Sequence, residues 1–167
     1  MNVFVELDAD PPRLRRDDGL IVRFPRAENG TFAVIEVGRL GKDDSFKSLF
    51  RWQGFPYQEL QPGKDAALLV GHLPEGYCSA AVMMDARSVT LEFADRVAED
   101  KSGVQRVATE FFVHDSCDVV VSVGDETSFS ADVDDAPGGS LHHLRVERDK
   151  SKAAVETQLR VMVSRER

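Results

Sequence analysis

His114, Asp134 and His142 are the side chains of this sequence best suited to hold a divalent transition metal such as iron, manganese or zinc. Neutral imidazole nitrogens and a carboxylate oxygen form a sound mixed donor set for such ions. Two other constellations invite metals. His72, Cys78, His114 and Cys117 supply the ligand types of structural zinc, and Asp132-x-Asp134-Asp135 offers the oxygen donors that calcium takes. The acidic run lacks the spacing and the distal bidentate glutamate of an EF-hand loop, so an acidic turn explains it more simply. His-Asp-Ser-Cys over 114–117 matches no nucleophile signature. Nor does the chain contain a phosphate-cradling G-x-x-x-x-G-K, a dinucleotide G-x-G-x-x-G, an H-E-x-x-H or a G-x-S-x-G elbow. The balance leans away from catalysis.

The run Pro137-Gly-Gly139-Ser-Leu-His142 resembles the P-x-G-x-x-H half of the cupin signature. In those metal-binding β-sandwiches the histidine is commonly a ligand, so the resemblance implies a metal-dependent enzyme acting on a small molecule. It covers about six residues. The other half of that signature, an earlier H-x-H with a following glutamate, is missing: His114 stands with Ser116 where the second histidine belongs.

Phe46, Phe50, Trp52, Phe55 and Tyr57 place five of the thirteen aromatic residues within twelve positions. Most of these rings plug an open end of the fold on the simplest reading. Trp52, Phe55 and Tyr57 are also the natural anchors for a protein partner, since Trp and Tyr combine an apolar body with a polar handle. The same residue types stack on sugars, which keeps a carbohydrate-binding module as a further alternative.

Positioning these groups falls to strands. Val89, Leu91 and Phe93 alternate with polar neighbours, as do Phe129, Ala131 and Val133, and Val155 to Val163 keeps strict period two over nine residues. Turn chemistry at 85–87, 99–103, 114–116, 124–126, 135–139 and 149–152 punctuates about seven short strands. Earlier strands are expected at 3–8, 20–25, 31–38 and 66–72, with an Asn29-Gly30 turn and a charged loop around Arg13 to Arg16. One short helix is expected at 44–52, capped by Asp44 or Ser45, because Phe46, Leu49 and Phe50 fall at i, i+3 and i+4. The expected fold is all-β, one domain over 1–167, an antiparallel meander forming a β-sandwich or barrel, with a jelly roll as one form of it.

A strict meander assigns turns to ends. His114, Asp115, Asp134, Asp135 and His142 then share one end, whereas His72 and Cys78 lie at the other, roughly 23 to 30 Å away at about 3.3 Å per residue. That separation disfavours both the four-ligand zinc site and a Cys78–Cys117 disulfide. His142 should face inward with Leu144, and His143 outward with Arg145.

Charge sharpens the address. The chain carries 21 basic and 29 acidic side chains, a formal net charge of −8. Residues 65–148 hold six basic against sixteen acidic, and no lysine or arginine lies between Arg106 and Arg145. Such a chain repels phosphate backbones and anionic bilayers, so nucleic-acid and membrane roles are not expected. Two cysteines in 167 residues and no long apolar run suggest a cytoplasmic protein. The resulting expectation is a non-catalytic interaction module without cofactor, meeting a protein partner or a second copy of itself through Asp134, Asp135 and the aromatic segment.

Overall fold

The structure, a computed structural model, describes residues 1–73, 76–97, 106–124, 127–148 and 154–163. The turns expected at 99–103, 125–126 and 149–152 lie outside these residues. Alternating apolar side chains build strands β1 (Val3–Glu6), β2 (Arg13–Arg16), β3 (Leu20–Arg23), β4 (Phe32–Leu40), β5 (Phe46–Tyr57), β6 (Glu59–Gly63) and β7 (Ala66–Leu73). They continue in β8 (Gly76–Met84), β9 (Val89–Val97), β10 (Arg106–His114), β11 (Cys117–Val123), β12 (Thr127–Ala136), β13 (Gly139–Arg148) and β14 (Ala154–Val163).

Two antiparallel sheets pack face to face. The eight-stranded sheet runs β1-β2-β3-β4-β5-β10-β13-β12, and the six-stranded sheet runs β11-β14-β9-β8-β7-β6. The core lies between them, built from Leu14, Val22, Ile35, Phe50, Trp52, Leu69, Val82, Leu91, Phe111, Leu144 and Leu159 among others. Both sheets keep free edges, so the fold is a sandwich and not a closed barrel.

The meander expected from residue 77 onward does not hold. Consecutive strands pair along β1 to β5, along β6 to β9 and at β12–β13, but from β10 the chain crosses between layers, setting β10 beside β13, β9 beside β14 and β11 beside β14. Period two marks which side of a strand faces the core; it carries no record of which sheet the strand joins.

The helix expected at 44–52 is strand β5 instead. Asp44, the supposed cap, has φ +62° in a hairpin loop where the Gly41 N–H donates to the Ser45 carbonyl at 2.7 Å. The helical spacing comes from a β-bulge: Val37 pairs with Phe50 and Gly38 with Ser48, so Leu49 is an extra residue. Leu49 and Phe50 are consequently both buried, which breaks the alternation and imitates an i, i+3, i+4 stripe. Gly38 is required there, because a Cβ would run into the Lys47 carbonyl oxygen.

The basic run at Arg13 to Arg16 is likewise a strand and not a solvated loop. Leu14 is buried, and Arg13 and Arg15 each donate to Glu6 at 3.0 Å. Arg16 is only 5% exposed. Its Nε and Nη2 fork onto the Asp18 carboxylate at 2.7 Å each, and Nη1 donates to the Asp85 carbonyl at 2.7 Å, tying β2 to the β8–β9 turn of the other sheet.

Arg16→Lys keeps the charge but cannot make all three directed bonds. We expect it to lower the free energy of urea unfolding by about 1–3 kcal/mol, whereas Arg13→Lys, on a partly exposed pair, should cost under about 0.5 kcal/mol. Equal losses in the two variants would contradict the role assigned to Arg16.

Candidate functional site

The end of the sandwich expected to gather chemistry does gather part of it. His114 pairs with Gly139 across β10 and β13, and the Asp115 N–H donates to the Gly138 carbonyl at 3.0 Å, so the β10–β11 and β12–β13 turns meet. His114 is occupied locally. Its Nδ1 accepts the Ser116 backbone N–H at 3.1 Å and lies 2.7 Å from Ser116 Oγ, which puts the proton of the neutral ring on Nε2.

His142 projects from the opposite face of the same sheet, in register with the buried Phe111, on whose ring it stacks at 4.8 Å and 7°. Ser140 Oγ lies 2.8 Å from its Nε2. Desolvation pushes the imidazole pKa below its usual value, so His142 is neutral at pH 7. Asp134 shares the outward face with His143, which approaches Asp134 at 3.9 Å and Glu110 at 3.6 Å. The sheet therefore stands between Asp134 and His142, as it does between His114 and His142. The proposed ligand trio does not fit one ion, and among the described residues no three His, Cys, Asp or Glu side chains come together as a metal site. Cys78 and Cys117 are buried free thiols.

The aromatic segment is core. Trp52 is 3% and Tyr57 2% exposed, and Trp52 stacks on Phe93 of the facing sheet at 4.8 Å and on Tyr57 at 6.0 Å. Phe55 is partly buried, with its edge against Tyr57. The plug reading accounts for these rings; Trp52 and Tyr57 present no face to a partner or a sugar.

Asp95 was overlooked, although the sequence signals it: it falls in phase with Val89, Leu91 and Phe93, on the inward side of β9. It pairs with Cys78 on β8, and its charge bears on both that thiol and the Tyr57 hydroxyl. Burial raises the Asp95 carboxyl to about 6. Burial, with the Asp95 charge adding to it, pushes Cys78 up to about 12 and raises Tyr57 as well. Thiol and phenol stay protonated at neutral pH, so neither is an activated nucleophile.

The exposed edge at β12 is acidic. β12 is the outermost strand of the eight-stranded sheet, pairing with β13 in unbroken register over ten residues. Asp132 and Asp134 point outward from it, and Asp135 lies on the inner face, beyond the cover of the second sheet, as does Val133 at 57% exposure. β11, an edge of the other sheet, lies near β12 across the layers, and its exposed Asp118 faces out of the six-stranded sheet, away from Asp132 and Asp134. Behind it, on the outer face of the six-stranded sheet, a shallow cleft of about 450 Å³ is floored by Ala81 and Ala94 and flanked by Glu92, Glu156, Gln158 and Ser122. On β2 to β4 several arginines are neutralised in place, as in Arg23–Glu36 at 3.2 Å and Arg39–Asp18 at 4.0 Å. Within 117–136 there is no lysine or arginine to do the same.

Asp95 sets a pH dependence. The folded protein keeps its proton up to about pH 6, whereas the unfolded chain loses it near 3.8, so stability falls as pH rises through that window and stays lower above it. The full difference is on the order of 3 kcal/mol. Asp95→Asn should therefore unfold at higher urea than the parent at pH 8, by about 1–3 kcal/mol, and converge with it below about pH 4. A variant no more stable than the parent at pH 8 would refute this assignment.

No protein-family model matches this chain, and no curated protein matches it either.

Proposed function

We propose that this chain is a non-catalytic β-sandwich interaction module that engages a protein partner of basic character through its acidic lateral side. One observation carries the reading: edge strands β11 and β12 present Asp118, Asp132, Asp134 and Asp135 to solvent and contain no lysine or arginine, the neighbouring Arg145 on β13 standing opposite Ser130. Uncompensated charge on one side accelerates encounter with an oppositely charged surface and rejects like-charged ones. The reading needs no cofactor.

The metal-dependent alternative draws little support from His114, Asp134 and His142, which occupy two faces of one sheet. Carbohydrate recognition through Trp52 and Tyr57 loses its platform to the core. Among the described residues no helix is long and apolar enough to cross a membrane. A cytoplasmic setting belongs to the proposal, supported by two buried thiols left free.

The test is comparative capture from native cell extract at low and high salt, using the parent and the double variant Asp134→Lys/Asp135→Lys. The parent should retain a basic partner that high salt releases, and the variant should lose it with its circular dichroism unchanged. Identical partners and identical oligomeric state in parent and variant would end this reading.

A further inference from the structure

The backbone of β12 offers something its carboxylates alone do not. An edge strand carries a row of N–H and C=O groups on its free side, and folded proteins ordinarily blunt such rows with proline, lysine, a bulge or short length. The other sheet edges conform in part. β1 is four residues long and β6 is five residues long and contains Pro62, whereas β11, shorter than β12 at seven residues, has no proline, lysine or bulge. β12 has ten residues, no proline, no lysine and no bulge against β13. Among the described residues, its backbone makes no hydrogen bond outside the β13 ladder.

Its side chains specify which strand could add. Two copies of β12 pairing antiparallel about Val133 would set Asp132 opposite Asp134 in both directions, and like charges directly opposite are destabilising. Self-pairing is thus opposed at the one register that centres the exposed valine. A strand with basic residues at alternate positions would reverse the sign of that term, laying cations against Asp132 and Asp134 on the outward face. Its intervening side chains would meet Ala131 and Val133 on the inward face, where β12 overhangs the second sheet.

Resting on the proposed function above, we infer that the partner binds by β-strand addition: an extended segment alternating Lys or Arg with small apolar residues extends the eight-stranded sheet along Ser130–Ala136. Main-chain bonds supply affinity in this mode and the alternating side chains supply selectivity.

The probe is an end-capped, fluorescein-labelled heptapeptide alternating arginine and valine, compared with the same peptide N-methylated at alternate residues along one edge. Methylation leaves charge and side chains intact and removes the donors of one edge. Fluorescence anisotropy with the parent chain should show binding of the unmethylated peptide and a dissociation constant raised at least about tenfold on methylation, the loss expected when several hydrogen bonds go. The amide resonances of 130–136 should shift in the complex, and Asp132→Lys/Asp134→Lys should weaken binding by a similar factor. Equal affinity for the two peptides would overturn strand addition while leaving an electrostatic module intact. Binding of neither would also overturn it, and partner capture by the parent and the 134/135 variant then decides separately whether the acidic-side reading survives. Concentration-dependent dimerisation through β12 would overturn it in favour of a second copy as occupant.

Discussion

Trp52 joins the two layers of this protein. It stands on β5 at the centre of the eight-stranded sheet, and its ring stacks on Phe93 of the six-stranded sheet at 4.8 Å and on Tyr57 at 6.0 Å. The two sheets share no strand ladder, so their mutual placement depends largely on side chains of this size meeting in the middle. Gly54 is shaped by this packing too, since a Cβ there would strike the Trp52 ring. A ring so enclosed cannot also serve as a surface anchor, and the functional surface must be sought where the two sheets fail to cover one another.

That place is set by unequal sheet width. Eight strands face six, and the β12 edge projects past its cover, leaving Val133 and the acidic residues around it in solvent while His142, one strand inward, is half-buried on Phe111. The −8 of the whole chain is therefore unevenly spent. Arg13, Arg15, Arg16, Arg23 and Arg39 pair with Glu6, Asp18 and Glu36 at the far side of the eight-stranded sheet, where charge is satisfied inside the fold. At the β12 side Asp134 has His143 at 3.9 Å, a cation only when protonated, and Arg145 stands opposite Ser130 on the neighbouring strand.

Much of this was legible in the sequence, and the failures have physical causes. Strands expected at 117–123, 128–133, 140–148 and 155–163 follow from period two, although β12 continues through Asp134 and Asp135 where a turn was expected, and the inward placement of His142 against the outward one of His143 follows from the same parity. The meeting of the 114 and 138 turns was also legible, because three reversals of direction between β10 and β13 leave those two turns at one end. β5 was misread because the bulge at Leu49 shifts the phase of its alternation. β2 was misread because three arginines in four positions look solvated, whereas here two of them lie over Glu6 and the third is buried on Asp18. Parity also separates Asp134 from His142, so composition had suggested a ligand set that the pleat divides.

Asp95 and the β12 carboxylates illustrate two different uses of the same side chain. Asp95 occupies an inward position that any aliphatic residue would fill at lower cost, and its carboxyl is driven up to about 6 by burial alone. Asp132 and Asp134 lie on an edge where an apolar residue would invite pairing with any passing strand. Carboxylates there leave the backbone row unobstructed while discriminating among strands by charge, which proline or a bulge would not do. On the proposed reading, selectivity toward a basic segment and resistance to self-association come from the same residues, with no separate device needed for either.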